Sequence, residues 1–469
     1  MGYRTRWRNA TPRVRERIRV AKTRRRHLSE SEDMMKRLGA PTFSLLLFLM
    51  AGACAPLPSV SMPSASGRTF AIPQAGPNPN VEDPTFRALP GAKAYFGQVA
   101  GSGYRIEVPD KWNGDLVLFA HGWNTTRRLT APYLPVRELA IRQGVAWAAS
   151  SNHASGYDPD DGVQDTLILR ELFKQMIGTP KRTFIYGRSM GGNVVVASLE
   201  RYPDIYSGGI TECGSINGIE RLNYLLSYTV LAGYFSGVDF FAQEVHGPAD
   251  VVALLNQKVY PALGASADKL TDAGKRFRSA VINLGGGHRP FAEEGFAAAY
   301  RSNFDLAVIV ITDTTFRGAA LGNIGEKYHV DPELGVDDAA LNRSVKRIAP
   351  DPSARNADTH YEFTRFKGNL KVPLMTIHGT GDAQVPIRTE QQYREWVEAS
   401  GASAMLVQRA SRRFVHCDYS TAERNRAFTD LLSWVTTGSK PEGDDLSGSL
   451  LDAGKRWSEP LRQDDPGHP

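Results

Sequence analysis

The sequence predicts an α/β protein: a mostly parallel sheet flanked by helices, interrupted by a large, mainly helical insertion. Three observations carry this. Short apolar β-favouring runs alternate with helical patterns in two separated blocks, 92–214 and 369–437. Between them, 215–368 breaks the rhythm and reads as helical and aromatic-rich. The pentapeptide Gly187-Arg188-Ser189-Met190-Gly191 sits where a predicted strand turns into a predicted helix.

In the first block, Tyr104–Val108 alternates as a strand does, and Pro109–Gly114 has turn chemistry. Leu116–Ala120 is a continuous apolar strand ending in His121-Gly122-Trp123, and Val145–Ser150 is a second buried strand. Asp161–Ile177 places Val163, Leu167, Leu169, Leu172 and Phe173 on one helical side. Thr183–Tyr186 is the strand before the pentapeptide, Asn193–Leu199 continues as the helix after it, and Ser207–Glu212 closes the block. The second block contains a strand at Val372–His378, a helix at Thr389–Ala399, a strand around Met405–Gln408 and a helix at Thr421–Thr436. An insertion between two strands of one sheet is expected to cap the strand ends, where ligands of such sheets gather. Its aromatic runs, including Tyr224, Tyr228, Phe235 and Phe240, suggest an apolar or aromatic substrate pocket.

The flanks differ in composition. The formal charge of the 469-residue chain is +6, but residues 1–33 alone hold +7, leaving −1 for the rest. The body is therefore not basic, which argues against a nucleic-acid partner. Residues 1–33 read as a basic leader or an over-extended reading frame, with Met34 or Met35 as the start. Within 34–54, Met35-Lys36-Arg37 precedes the apolar run Phe43–Met50, too short to span a bilayer, and then Ala51-Gly52-Ala53-Cys54. This resembles a bacterial lipobox, implying export and a lipid on Cys54. Ala51 departs from the usual Leu, so plain signal cleavage stays open. Residues 55–91 read as a flexible linker, and 438–469, polar and rich in Gly, Pro and Asp, as a disordered tail.

A serine hydroxyl is a poor nucleophile at neutral pH. It needs an imidazole to take its proton and a carboxylate to orient and balance that imidazole. The glycines around Ser189 suit a turn so tight that flanking side chains would clash. Asp382 lies in the loop His378-Gly379-Thr380-Gly381-Asp382 off a predicted strand. His416 falls between the last strand and the last helix, giving the order Ser, Asp, His. Asp418 is a local competitor, too near His416 in sequence to fit that order. For the oxyanion, the N–H groups of Met190 and Trp123 are the expected donors, with Gly122 the alternative to Trp123. Cys213 ends a predicted strand and Cys417 follows His416. In an oxidising compartment the two can pair, although two buried thiols are the simpler reading.

Together these residues resemble the α/β-hydrolase superfamily. The likeness rests on Val-Pro-x-x-Trp-Asn-Gly, Ala-His-Gly, Gly-Arg-Ser-Met-Gly-Gly, His-Gly-x-x-Asp-x-x-Val-Pro and Val-His-Cys-Asp-Tyr. The large insertion and the cysteine beside the histidine are similar to secreted feruloyl esterases and tannases. No cysteine precedes Ser189, so their bridge between serine and histidine neighbours cannot form as such. The chain also resembles prolyl-oligopeptidase-like hydrolases, without a β-propeller ahead of the catalytic block. The resemblance implies an exported serine hydrolase of small-molecule or oligomeric carboxylic esters, working through an acyl-enzyme without metal or organic cofactor. The alternatives are a peptidase or amidase with the same triad, and a non-catalytic ligand-binding lipoprotein.

Overall fold

The structure, a computed structural model, describes residues 72–312, 320–351 and 366–460. The leader, the lipobox with Cys54 and the first part of the linker lie outside these residues. Eight strands form one sheet in the order β1-β2-β4-β3-β5-β6-β7-β8. These are β1 (Ala92–Val99), β2 (Ser102–Pro109), β3 (Asp115–Ala120), β4 (Ala146–Ser150), β5 (Arg182–Arg188), β6 (Gly208–Glu212), β7 (Leu374–Gly379) and β8 (Leu406–Ser411). β2 runs antiparallel to β1 and β4, and the pairs from β4 to β8 are parallel.

Strands β2 to β8 are almost wholly buried, which explains their continuous apolar runs: a sheet covered on both faces has no wet side to alternate toward. Side chains of odd and even register still part to opposite faces. Phe184 and Tyr186 join Val117, Trp147, Ile210 and Met375 on one face. There they meet the helices α1 (Arg137–Arg142) and α11 (Thr421–Thr437), the latter through Phe428, Leu431 and Trp434. On the other face Ile185 lies beside Val195 and Leu199 of α3 (Met190–Arg201), which packs against α2 (Pro159–Met176).

The insertion between β6 and β7 holds α4 (Glu220–Ser236), α5 (Pro248–Leu254), α6 (Tyr260–Leu263), α7 (Asp272–Leu284), α8 (Ala292–Thr312) and α9 (Asp338–Ser344), and α10 (Arg388–Ala399) follows β7. Its aromatics interlock with one another: Tyr228 meets Phe277 and Phe304 edge-on, with ring centroids 5.0 Å apart in both pairs. Tyr224, Tyr228 and Phe240 are buried in this cluster, and Phe235 packs against it. They build one buried cluster that also takes in Tyr157 and Met190. Among the described residues no helix is long and apolar enough to cross a membrane.

Both flanks also depart from expectation. Within the expected linker, residues 72–91 are docked: Val81 bridges Leu129, and Phe86 is buried against Trp147. The expected disordered tail follows the edge strand β8 through residue 460. Asp444 N–H donates to the Gln408 carbonyl at 2.7 Å, and its carboxylate accepts the Ala410 N–H at 2.7 Å. Leu446, Leu450, Ala453 and Trp457 are buried, and the Trp457 ring lies 3.9 Å from the Arg409 guanidinium carbon. An open edge of N–H and C=O groups needs a cover, and a few apolar anchors in a polar segment suffice to hold one there.

Candidate active site

The turn from β5 to α3 is a nucleophile elbow. Ser189 has φ 55° and ψ −119°, a region that side chains avoid and that costs about 1–3 kcal/mol unless the surroundings hold it. Three main-chain bonds do so: Ser189 N–H to the Glu212 carbonyl at 3.1 Å, and Ser215 and Gly192 N–H to the Ser189 carbonyl, each at 2.9 Å. The flanking glycines are required by close approach. A Cβ at Gly187 would overlap the Gly191 carbonyl, and one at Gly191 would overlap the Ala120 carbonyl.

The strand ends bring Ser189, Asp382 and His416 together. Asp382 is buried in the loop after β7, and His416 stands in the loop between β8 and α11. His416 Nδ1–H donates to Asp382 Oδ2 at 2.6 Å, and Ser189 Oγ–H donates to His416 Nε2 at 2.9 Å. An ionised carboxylate only accepts, which fixes the imidazole proton on Nδ1 and leaves Nε2 as the base. The other carboxylate oxygen of Asp382 accepts the Gln384 and Val385 N–H groups, both at 3.0 Å. Burial pushes the Asp382 carboxyl up. The neighbouring His416 and His378 and the Val385 N–H outweigh it and hold the group below the usual value.

His378 acts behind the acid. Its Nε2–H donates to the Val385 carbonyl at 2.8 Å and its Nδ1 faces Glu390 at 3.2 Å, both inside the core. Burial pushes its pKa down, but Glu390 carries it above the ordinary histidine value. Glu390 is held in turn by Thr376 and Gln408, each at 2.7 Å.

Met190 opens α3, where the first N–H groups have no partner within the helix. The His121-Gly122-Trp123 loop passes against Ser189: a Cβ on Gly122 would lie 3.1 Å from Ser189 Cβ. Trp123 lines the cleft and meets Tyr157 edge-on at 5.3 Å. Cys213 and Cys417 form a disulfide, Cα to Cα 5.2 Å. It ties the end of β6 to the residue after His416. Cys213, Cys417 and His416 are the group among the described residues with metal-ligand character, but the two sulfurs are bonded to each other.

Ser189 and His416 open into a cleft of about 750 Å³. Phe119, Trp123, Arg128, Tyr133, Pro135, Arg188, Cys417 and Arg424 are among the residues that line it. Among the described residues none of its lining comes from the insertion, which instead grips the acid loop. Arg289 Nε–H donates to the Thr380 carbonyl at 2.7 Å. Tyr224 Oη–H and Asn303 Nδ2–H donate to the Ala383 carbonyl at 3.1 and 2.9 Å. Gly295 of α8 is pressed so close that a Cβ there would overlap the Gly381 carbonyl.

Sequence reasoning missed one further cluster. His153, after β4, meets Asp161 at 3.0 Å and Asp165 at 2.9 Å, both on α2. Hydrogen bonds to Asp161 and then Asp165 raise its pKa to about 10, so it is an imidazolium at neutral pH. Its only sequence signal was a histidine upstream of two acids four residues apart.

No family model matches the chain. An o-phthalyl amidase from Xanthobacter agilis is 21% identical over 416 residues, 74% of this chain and 88% of that protein. Among solved structures, feruloyl esterase B from Aspergillus oryzae is 15% identical with TM-score 0.45, over 75% of this chain and 81% of that one. An esterase from Pyrococcus furiosus is 12% identical with TM-score 0.36, over 74% and 91%. By its own sheet order, its elbow and the sequence Ser, Asp, His along the chain, the protein has the α/β-hydrolase fold.

Proposed function

We propose that the protein is an exported serine hydrolase cleaving carboxylic esters, with Ser189, His416 and Asp382 as its triad. The observation that carries the reading is the pair of hydrogen bonds, 2.9 and 2.6 Å, linking the three side chains beside an open cleft. His416 Nε2 takes the hydroxyl proton as Ser189 Oγ attacks the acyl carbon. Met190 and Trp123 N–H groups hold the oxyanion, and Asp382 balances the imidazolium. His416 then protonates the leaving alcohol, and water releases the acid from the acyl-enzyme by the same relay. Export agrees with the Cys213–Cys417 pairing, since such bonds persist in oxidising compartments; Cys54 would then carry the lipid anchor.

A second reading, amide cleavage by the same groups, is favoured by the likeness to an o-phthalyl amidase. A panel of p-nitrophenyl esters and matched anilides separates the two. A fluorophosphonate probe should label the wild type and not Ser189→Ala, whose turnover should fall by about 10⁶-fold with the fold intact. Undiminished ester hydrolysis by that variant would overturn the assignment. Absence of labelling in the wild type would favour a non-catalytic binding protein.

A further inference from the structure

Much of the cleft's lining lies outside the regular elements of the fold. Residues 121–136 connect β3 to α1 as an irregular loop. Along it Thr126, Arg128, Thr130 and Pro132 line the cleft, and Leu129 and Ala131 between them are buried. That alternation is the habit of a strand, and extended backbone needs a partner for its N–H and C=O groups. The partner is the arm ahead of β1, residues 78–86.

Glu82 N–H donates to the Leu129 carbonyl at 2.9 Å, and Leu129 N–H to the Asn80 carbonyl at 3.0 Å. The Glu82 carboxylate accepts from Arg128 at 3.1 Å and from the Thr130 hydroxyl. Glu82 is itself in the lining, so the arm contributes to the cleft directly. The buried Arg105 of β2 ties the two segments together, with Nε–H on the Pro84 carbonyl at 2.8 Å and Nη1–H on the Ala131 carbonyl. Phe86 meets Tyr133, another lining residue, edge-on at 5.9 Å. The arm is rooted on the sheet in turn. Asn78 Nδ2–H donates to the Gly101 and His153 carbonyls at 2.9 and 3.2 Å, and a Cβ at Gly103 would stand 2.7 Å from Val81 Cγ1. Among the described residues, every hydrogen bond that 125–133 make beyond their own loop goes to the arm or to Arg105. An exposed pair such as Glu82 and Arg128 is worth little alone. Here a main-chain ladder, a carboxylate and a buried guanidinium act on the same few residues and hold them as a network.

We propose that the arm is part of the substrate site: residues 78–86 set the position of the cleft wall, and Glu82 is a specificity-determining residue. Any ester brings its carbonyl to Ser189 and His416. Only a substrate with bulk beside that carbonyl also meets the wall. The arm therefore selects substrates by size and shape, and takes no part in bond breaking. This rests on the reading of Ser189 as nucleophile.

The test uses the full chain and two variants. Glu82→Pro removes both the N–H on the Leu129 carbonyl and the carboxylate on Arg128 and Thr130; Asn78→Ala cuts the arm's root at the β1–β2 turn. The substrates are ethyl acetate, small on both sides of its carbonyl, and phenyl benzoate, with a ring on each side. Glu82→Pro should lower kcat/KM for phenyl benzoate by about 10- to 30-fold, mostly through KM, and for ethyl acetate by about threefold at most. Asn78→Ala should move the ratio of the two in the same direction by about two- to fivefold. Hydrogen exchange should speed up at the amides of 126–133 in both variants, while α3 keeps its wild-type protection. If Glu82→Pro loses protection in α3 as well, the ratio measured on Asn78→Ala decides. Equal losses on the two esters, or an unchanged ratio, would overturn the proposal; fluorophosphonate labelling of Ser189 in the same proteins would then leave the nucleophile assignment standing. No labelling in the wild type would remove that assignment, and this inference with it.

Discussion

Removing the Cys213–Cys417 bond should cost stability and catalysis together. The bridge spans 204 residues of sequence. Closing a loop of that length takes about 18 cal/mol/K from the unfolded chain, or about 5 kcal/mol at 25 °C. A term of opposite sign comes from the backbone. Cys213 and Cys417 have φ 47° and 60°, left-handed values that cost about 1–2 kcal/mol per residue. Cutting the bond lets both relax, so the net loss should be about 1–3 kcal/mol. Urea unfolding of Cys213→Ala/Cys417→Ala against the wild type, and of the wild type with and without reductant, measures it. Activity should fall more steeply than stability, because the residue after His416 loses its anchor to β6 and the 2.9 Å contact with Ser189 loosens. Thiol titration in urea should find two more thiols after reduction than before. Equal counts, or an unchanged urea midpoint in the double variant, would refute the reasoning.

Further outcomes follow from the His153 clasp and from the packing behind Asp382. His153 has a folded pKa of about 10, above its ordinary 6.5, so its contribution is full below pH 6.5 and fades as pH rises toward 10. His153→Gln should therefore lower the melting temperature clearly at pH 6 and little at pH 10; a constant difference would mean that the charged clasp does not form. Gly295→Val should displace the Gly381 carbonyl and with it the acid loop, lowering kcat by about 10²-fold while circular dichroism stays native. Unchanged kcat in that variant would show that the insertion does not position Asp382.

The clustering of Ser189, Asp382 and His416 was legible in the sequence for a physical reason. The elbow needs glycine at Gly187 and Gly191, where any Cβ would overlap a carbonyl, so the geometry is written in residue types. The buried strands β3 to β7 were readable as apolar runs, and their order placed Asp382 and His416 at the same sheet edge as Ser189. Strand β1 went unread because it alternates weakly, interrupted by Gly97 and Gln98, and is fixed by pairing with β2. The tail looked disordered because Leu446, Leu450 and Trp457 are scattered through polar sequence, and only the edge of β8 gives them a place to go. Tyr224 and Phe240 announced burial but not against what. Periodicity reports that a side chain leaves water, and says nothing of its neighbour across the fold.

The grip of the insertion on residues 380–384 limits how this scaffold could be re-engineered. A detachable lid could be traded for another to change selectivity. Here Arg289, Asn303 and Gly295 clamp the main chain that carries the acid, so replacing the helices would disarm the enzyme before it retuned it. Redesign should start instead with Thr130, Pro132, Tyr133, Leu134 and Pro135, which line the cleft and leave the carboxylate's mount untouched.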